Sequence, residues 1–480
     1  MTLAATATCN TIIKGQIYDP GDNLPLPNVY AFLQEGALSA LPEGVAPDSC
    51  STILTGGSGG GVPDNRVQSA LDGSFTLQIP NGYPNGTNFN IVIQTGRWRK
   101  VVPLTANCAT QNLGHVRLPR NHTEGNIPQM ALVMGAADTL ECFIAKVGVD
   151  VSEFTRPSDS GRVHVYQGCI DTCGPVLSSS APHNGPAPDK RTSLLATQAE
   201  IDRHAMLVLP CEGGRRSGNV ADYPNDTEVQ RVKTFADAGG RIFATHLSDL
   251  YLYHEGDGGG TIQDLYAGTA TYKTGGDNMF NNTGSGVGSV EANVNTAPPR
   301  AQTFYDWLVA VGGLNGNGRV QFVEGRRRSL AALPPLGQTW LPNYNPTPLF
   351  TFFNYVHHVT FDTPVGAPTP KGRVVYLSSH VAPVAYRRQS TGTFPGECDL
   401  ANPLTPSEKA LEYMLFDVSA CVGAPPPAPA PLYTAATFTR DFIATCPVGT
   451  RVRWRQFEAD VETPSAVSYT HLRAHETVLD

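Results

Sequence analysis

The sequence has few charged residues and no long apolar segment. Charged residues make up 16% of the 480 positions, and 34 basic residues against 42 acidic ones give a net charge of −8. A dedicated nucleic-acid-binding protein would carry a basic stripe, so this balance argues against that class. No apolar run reaches the roughly 18 residues that a membrane-spanning helix needs, so we expect no transmembrane segment.

The common metal and phosphate motifs are also missing. No two cysteines have the CxxC spacing of a zinc ribbon or a thioredoxin motif, and neither GxGxxG nor GxxxxGK[ST] occurs. The ten cysteines are dispersed along a chain with 48 glycines and 39 prolines. An even number of dispersed cysteines indicates an oxidising compartment. The disulfide candidates are Cys398 with Cys421, which flank a predicted helix, and Cys169 with Cys173; the alternative is that several cysteines are buried thiols.

The beginning of the chain does not look like an intact signal peptide. The first ten residues, MTLAATATCN, contain neither a charged n-region nor a long apolar h-region, and a predicted strand follows at once. We therefore expect either that a signal was removed or that the chain starts late. With the cysteine usage, this favours a secreted or cell-envelope location.

Residues 11–118 have the alternating hydrophobicity and turn signals of a β domain. The order GQIYDP, then PLPNV, then DGSFTL resembles the carboxypeptidase-regulatory-like, transthyretin-like domain. The resemblance implies a β-sandwich of the kind appended to secreted proteins, with a supporting or binding role rather than a catalytic one.

Residues 119–423 alternate between strand and helix patterns. Apolar strands are predicted near 127–135, 162–168, 205–210, 241–246 and 371–378, with helices near 137–147, 194–203, 226–238 and 407–417. Such alternation predicts an α/β domain with a doubly wound parallel sheet, interrupted by a Gly/Asn-rich insertion at about 255–298. A proline-rich linker at 424–432 then precedes a truncated β domain at 433–466. Residues 467–480 resemble a translated sequencing adapter, so His471 and His475 are not counted as metal ligands.

Polar side chains stand at the predicted carboxyl ends of three of these strands. Glu212, His246 and His380 are the candidate catalytic residues, because ligands of open parallel sheets bind beyond the strand ends. The near-neutral pKa of histidine suits a general base or a metal ligand. A His₂Glu set would hold a divalent metal, although no cofactor is firmly implied. The alternatives are core histidines and a glutamate that only caps a turn.

Further residues near these ends are candidates for ligand binding. Gly213, Gly214 and Arg215 could cradle an anion through backbone N–H groups and a positive charge. Ser248 and Asp249 follow His246, and Asp249 could instead cap a helix. Trp98 could stack on a sugar, or it could be a buried core tryptophan.

The segments AMLVLPCEGG, AGGRIFATH and KGRVVYLSSH resemble the class I glutamine-amidotransferase-like superfamily and, within it, the trehalose-utilisation-protein-like branch. The resemblance implies a flavodoxin-like sheet with a nucleophilic cysteine at the elbow after the strand RIFAT. His246 occupies that place, and Cys211 lies on a different strand end, so glutamine hydrolysis is not expected. The whole chain also resembles envelope proteins of myxobacterium-like bacteria. This resemblance implies no particular activity.

Three functions remain open on these grounds. We favour a secreted or envelope protein that binds a carbohydrate, a cell-envelope polymer or another polar ligand, and that is not an enzyme. The alternative is a sugar-directed hydrolase or isomerase that uses His246, His380 and Glu212, with or without a metal. The third is a purely structural envelope component. An enzyme requires these side chains within ~4–5 Å of a common point in a cleft, whereas a binding protein tolerates wider spacing.

Overall fold

The chain forms several β-sheets and few helices in the computed structural model. The structure describes residues 9–80, 83–135, 138–168, 189–212, 224–254, 263–272, 290–322, 330–332, 338–339, 341, 356–380, 394–396 and 398–423. The predicted linker, truncated β domain and adapter-like tail, at 424–480, lie outside these residues. So do Cys169 and Cys173, Gly213, Gly214 and Arg215, and most of the predicted insertion at 255–298.

The N-terminal region contains two sheets. Its strands are β1 Thr11–Tyr18, β2 Tyr30–Leu33, β3 Val67–Gln68, β4 Ser74–Ile79, β5 Asn88–Thr95, β6 Trp98–Thr105 and β7 Thr110–Arg117. One sheet has the order β4-β1-β7, with β1 antiparallel to β4 and parallel to β7, and the other is antiparallel with the order β3-β2-β5-β6. In β1 the alternation predicted from sequence is present, with Ile13 and Ile17 fully buried and Lys14 exposed. The turn before β4 places Gly73 at φ +75°, a conformation that glycine adopts without strain.

The larger sheet follows. Its strands are β8 Met130–Met134, β9 Phe154–Thr155, β10 Val163–Gln167, β11 Asp189–Lys190, β12 Met206–Leu209, β13 Arg241–Thr245, β20 His358–Thr363 and β21 Gly372–Leu377. The order is β11-β10-β8-β12-β13-β21-β20, and β9 pairs with β10. All neighbouring pairs are parallel except β20 with β21.

Between β13 and β20, short strands form two-stranded pairs: β14 Tyr253–His254, β15 Gln263–Asp264, β16 Thr271–Tyr272, β17 Val290–Ala292, β18 Val320–Phe322 and β19 Leu330–Ala332.

Helices cover both faces of the larger sheet. The helices are α1 Cys50–Ile53, α2 Leu140–Lys146, α3 Arg191–Leu194, α4 Gln198–Asp202, α5 Asp226–Ala238, α6 Pro299–Ala310 and α7 Pro406–Ser419. Side chains of α2, α6 and α7 share one apolar cluster with Leu132, Val208 and Val375, whereas side chains of α4 and α5 share another with Val133 and Leu207. Alternate residues of the central strands thus face opposite cores, so these strands are apolar at nearly every position.

Capping residues fix where the longer helices begin. Asn225 caps α5 and Thr405 caps α7, each in a capping box with the glutamate three residues later, Glu228 or Glu408. The sequence predicted both helices, near 226–238 and 407–417. Helix α6 was not predicted, because its start follows directly on the Gly/Asn-rich insertion.

Helix α7 joins the N-terminal sheets to the larger sheet. Trp98, at the start of β6, is 1% exposed and lies edge-on to Phe416 of α7, with ring centroids 5.7 Å apart. Nearby, Arg97 forms a buried bidentate pair with Asp48, at 2.7 and 2.9 Å. The hydrophobic cluster that contains α7 also contains β1, β4 and β5 residues, so the described N-terminal strands and the larger sheet share one core.

Among the described residues, three disulfides link distant parts of the chain. They join Cys9 to Cys108, Cys50 to Cys421 and Cys142 to Cys398. The predicted pairing of Cys398 with Cys421 is therefore wrong, although both residues are in disulfides. The 14 residues of α7 lie between them, and a helix of that length spans about 21 Å, which separates the two cysteines.

These disulfides are compatible with an extracellular protein. No helix among the described residues combines the length and the apolar character needed to cross a bilayer.

Candidate functional site

The carboxyl ends of three adjacent strands bring a thiol and two imidazoles together. Cys211 follows β12, His246 follows β13 and His380 follows β21, and these strands are neighbours in the order β12-β13-β21. One ligand atom from each side chain lies within 4.8 Å of the others. Cys211 and His380 are 1% and 6% exposed, and His246 is half-buried. Parallel strands end at one edge of the sheet, which is why residues 169 positions apart along the chain can meet here (380 minus 211).

His246 stands at a strained turn. The chain passes from β13 directly into the 3₁₀ helix His246–Tyr251, and His246 has φ +45°, in the left-handed region that a residue with a Cβ rarely adopts. Its backbone carbonyl accepts a 2.7 Å hydrogen bond from the hydroxyl of Tyr376. Its Nδ1 atom lies 3.2 Å from the Sγ atom of Cys211. The turn therefore directs the imidazole sideways, toward the end of β12.

His380 is held by a buried carboxylate. Its Nδ1 atom lies 3.1 Å from Oδ1 of Asp138, which is fully buried in the segment after β8. The hydroxyl of Thr245 donates a 2.7 Å hydrogen bond to Oδ2 of the same carboxylate, and the Cys211 amide donates to the Thr245 hydroxyl at 3.1 Å. His380 also has a side-chain hydrogen bond with Cys211, so its imidazole connects Asp138 to the thiol. The rings of His246 and His380 are stacked, with centroids 3.8 Å apart.

The electrostatics of this pair favour two charged groups. Burial by itself would lower the pKa of His380, but the charge of Asp138 and the hydrogen bond to it raise that pKa to about 10. Burial would likewise raise the pKa of Asp138, but the charge and hydrogen bond of His380 hold it below its usual value. Each partner of this pair thus favours the charged form of the other.

Glu212 does not join the two histidines. Its carboxylate forms an ion pair with Arg191, at 3.0 Å, and the Arg191 side chain is fully buried. The group of converging donors contains Cys211 in the place where the sequence predicted Glu212. The predicted catalytic set is thus corrected to His246 and His380 with Cys211, because the buried guanidinium at the start of α3 binds the Glu212 carboxylate.

The other predicted binding residues have mainly structural surroundings. The Ser248 hydroxyl donates a 2.7 Å hydrogen bond to the carbonyl of Pro210, which ties the turn after β13 to the end of β12. Asp249 is fully buried within the 3₁₀ helix. Trp98 is a core residue and cannot stack on a sugar, which corrects that prediction and supports the alternative. Gly213, Gly214 and Arg215 lie outside the described residues.

Two residues of the candidate site, Asp138 and Cys211, were not among those predicted from the sequence. Asp138 was placed inside a predicted helix at 137–147, whereas α2 begins at Leu140 and Asp138 lies in the segment between β8 and α2. Cys211 was set aside because it is not at the elbow. The signal for both was present, since each is a polar residue just beyond an apolar strand.

Comparisons with known proteins do not assign the chain to a family. No family model matches the chain, and no curated protein matches it. Among solved structures, it is similar to the cytoplasmic protein STM3548 from Salmonella typhimurium, at 11% identity and a TM-score of 0.28, covering 69% of this chain and 95% of that one. It is also similar to the exo-beta-1,4-mannosidase Op5Man5 from Opitutaceae bacterium strain TAV5, at 9% identity and a TM-score of 0.22, covering 53% and 31%. Similarities this low carry no argument about function.

Proposed function

We propose that this chain is a secreted or cell-envelope protein that binds a carbohydrate or another polar ligand at the carboxyl edge of the larger sheet. The observation that carries the proposal is the buried pair of Asp138 and His380 beside Cys211 and the half-buried His246. Buried ion pairs add little net stability, because desolvation offsets their attraction. Perturbed ionisable groups that cluster at one edge of a sheet are therefore better explained by ligand recognition.

The proposed architecture agrees with a binding role. We propose that the N-terminal sheets form a transthyretin-like β-sandwich and that the larger sheet belongs to an amidotransferase-like, doubly wound domain. The order of the parallel strands and the helices on both faces support this assignment. In such sheets, ligands bind where the strands end, which is where the cluster lies. The three disulfides support the secreted or envelope location.

A thermal-shift screen of the full chain tests the binding role. Wild type, His246→Ala and His115→Ala are compared against a panel of mono- and oligosaccharides, sugar acids and envelope polysaccharides. His115 is an exposed histidine of β7, paired with Asp22 at 2.9 Å, and serves as the matched control. A ligand that binds only the folded state stabilises it by about 2.7 kcal/mol at 100 times its dissociation constant. We expect a shift for wild type and His115→Ala that is lost in His246→Ala; a shift kept by all three would place the site elsewhere.

A sugar-directed hydrolase or isomerase is the second candidate. The convergence of three donor atoms within 4.8 Å favours it, because a catalytic site requires groups that reach one substrate. Its residue set is now His246, His380 and Cys211. Turnover of chromogenic glycosides or interconversion of aldoses and ketoses, lost in His380→Gln, would support it over simple binding.

A further inference from the structure

We infer that Cys211, His246 and His380 form a mononuclear zinc site. The metal would be the group that holds the polar ligand, and this part of the inference rests on the proposed function. The three donor atoms lie within 4.8 Å of one another, and the Sγ of Cys211 is 3.2 Å from Nδ1 of His246. Tetrahedral coordination with bonds of about 2.0–2.3 Å places neighbouring donors roughly 3.3–3.8 Å apart, so the cluster is close to the spacing that zinc requires.

The donor types select the metal. One thiolate and two imidazoles match the sulfur and nitrogen ligands of zinc, whereas calcium and magnesium take oxygen ligands. Three protein donors leave one tetrahedral position open, which is the arrangement of metal sites that exchange a water or a substrate oxygen. A hydroxyl or carboxylate of the proposed ligand fits that fourth position.

The surroundings of the cluster hold each donor in place. Asp138 binds Nδ1 of His380, so Nε2 is the nitrogen that can reach a metal once it releases its proton, as in carboxylate–histidine–zinc arrangements. Thr245 and the Cys211 amide complete that hydrogen-bond chain. The Tyr376 hydroxyl fixes the His246 carbonyl at the strained turn. Donors on three adjacent strand ends, each supported from behind, form a preorganised site.

The state of the cysteines gives an independent reason. Six of the described cysteines are in disulfides, and Cys211 is the described cysteine that is not. It is buried beside two histidine rings. In a protein whose other described cysteines are oxidised, a metal explains why a thiol is kept between two imidazoles.

The test uses the full chain, purified without chelator or metal-affinity resin. Zinc is measured by mass spectrometry, and the metal-free protein is then titrated with cobalt(II). We expect about one metal per chain, a near-ultraviolet thiolate-to-cobalt band, and visible bands of tetrahedral intensity. In Cys211→Ser the thiolate band disappears, and in His246→Ala the cobalt dissociation constant rises at least tenfold. The double variant His471→Ala/His475→Ala is the control for cobalt binding outside the cluster, because these two histidines have the i, i+4 spacing of a metal-binding pair. We expect this variant to bind cobalt like wild type.

A second experiment uses only wild-type protein, so its result does not depend on whether the variants fold. Alkylation of Cys211 in folded wild-type protein is followed by peptide mapping, with and without a chelator and with zinc restored. We expect zinc to protect the thiol and the chelator to expose it. Less than a tenth of an equivalent of metal, with alkylation unaffected by chelator or zinc, would overturn the inference. Metal binding without any sugar response would support the zinc site and contradict the proposed ligand. A sugar response in metal-free protein would support the proposed ligand and contradict the claim that the metal holds it.

Discussion

The Nδ1 atom of His380 lies 3.1 Å from Oδ1 of Asp138, and both side chains are buried at one edge of the larger sheet. The residues are 242 positions apart in the chain. They are brought together because β8 and β21 are parallel strands of one sheet, with only β12 and β13 between them. The pair orients His380 for Cys211 and His246, so the fold and the candidate site depend on the same contact.

Asp138→Asn should weaken both stability and metal binding. Breaking a buried ion pair typically costs about 3–5 kcal/mol because one group loses its partner, and the amide that replaces the carboxylate brings no charge. Loss of a carboxylate behind a ligating histidine weakens metal affinity by roughly 10–100-fold. Urea unfolding and cobalt titration measure the two effects. Glu200→Gln, in an exposed pair with Arg203, is the control and should change neither. Unchanged cobalt affinity in Asp138→Asn would contradict the positioning role.

The disulfide between Cys50 and Cys421 should be the covalent link that matters most between the N-terminal sheets and α7. Removing a native disulfide from a secreted domain typically costs about 2–5 kcal/mol. We expect Cys50→Ser/Cys421→Ser to lower the free energy of unfolding, measured with urea, by that amount, and non-reducing peptide mapping of wild type to recover the three pairs described above. A peptide that links Cys398 to Cys421 would contradict the structure.

Much of the large sheet could be predicted from sequence because its strands are short apolar runs separated by capped helices. The segments around β8, β10, β12, β13 and β21 were all expected as strands, and the convergence of His246 with His380 followed from the carboxyl-end rule. The partner of Cys398 could not be predicted, because disulfide connectivity depends on tertiary packing that spacing does not encode.

The role of Glu212 shows the same limit at the site. Its position at a strand end is identical in kind to that of Cys211, one residue earlier. The structure separates the two because Arg191, from a part of the chain with no strong local pattern, binds the carboxylate. A short-range pattern identified the edge of the sheet, but only long-range packing decided which side chains meet there.

The buried carboxyls of Asp19 and Glu412 should make stability depend on pH. Burial raises the pKa of Asp19 to about 7 and also raises that of Glu412, on α7. Below about pH 4 both folded and unfolded chains keep these protons, whereas between pH 4 and 7 only the unfolded chain releases them. The contribution of this pair to the free energy of unfolding therefore decreases as the pH rises from 4 to 7 and is smallest above pH 7.

Glu412→Gln tests this pH dependence by difference from wild type. Its stability advantage over wild type, from urea unfolding, should grow between pH 4.5 and 7.5. The comparison with wild type is needed because two buried histidines have the opposite effect. Burial lowers the pKa of His164 to about 4 and that of His204 to about 3, so the folded protein becomes less stable as the pH falls below 6.5. Glu200→Gln is again the control. A difference between Glu412→Gln and wild type that stays constant with pH would show that the carboxyl pair does not titrate in this range.

Gly96 allows the hairpin between β5 and β6 to approach the end of α7 closely. It has φ +51°, and a Cβ atom there would lie 1.7 Å from the carbonyl oxygen of Ser419. Gly86 has φ +85° with nothing within 4 Å of its Cβ position, so it isolates the backbone cost. We expect Gly86→Ala to cost about 1–2 kcal/mol, from the left-handed backbone alone, and Gly96→Ala to cost clearly more, because the backbone of α7 must also move. Urea unfolding of both variants measures the difference. Equal costs would mean that the hairpin and α7 are not packed as closely as the structure shows.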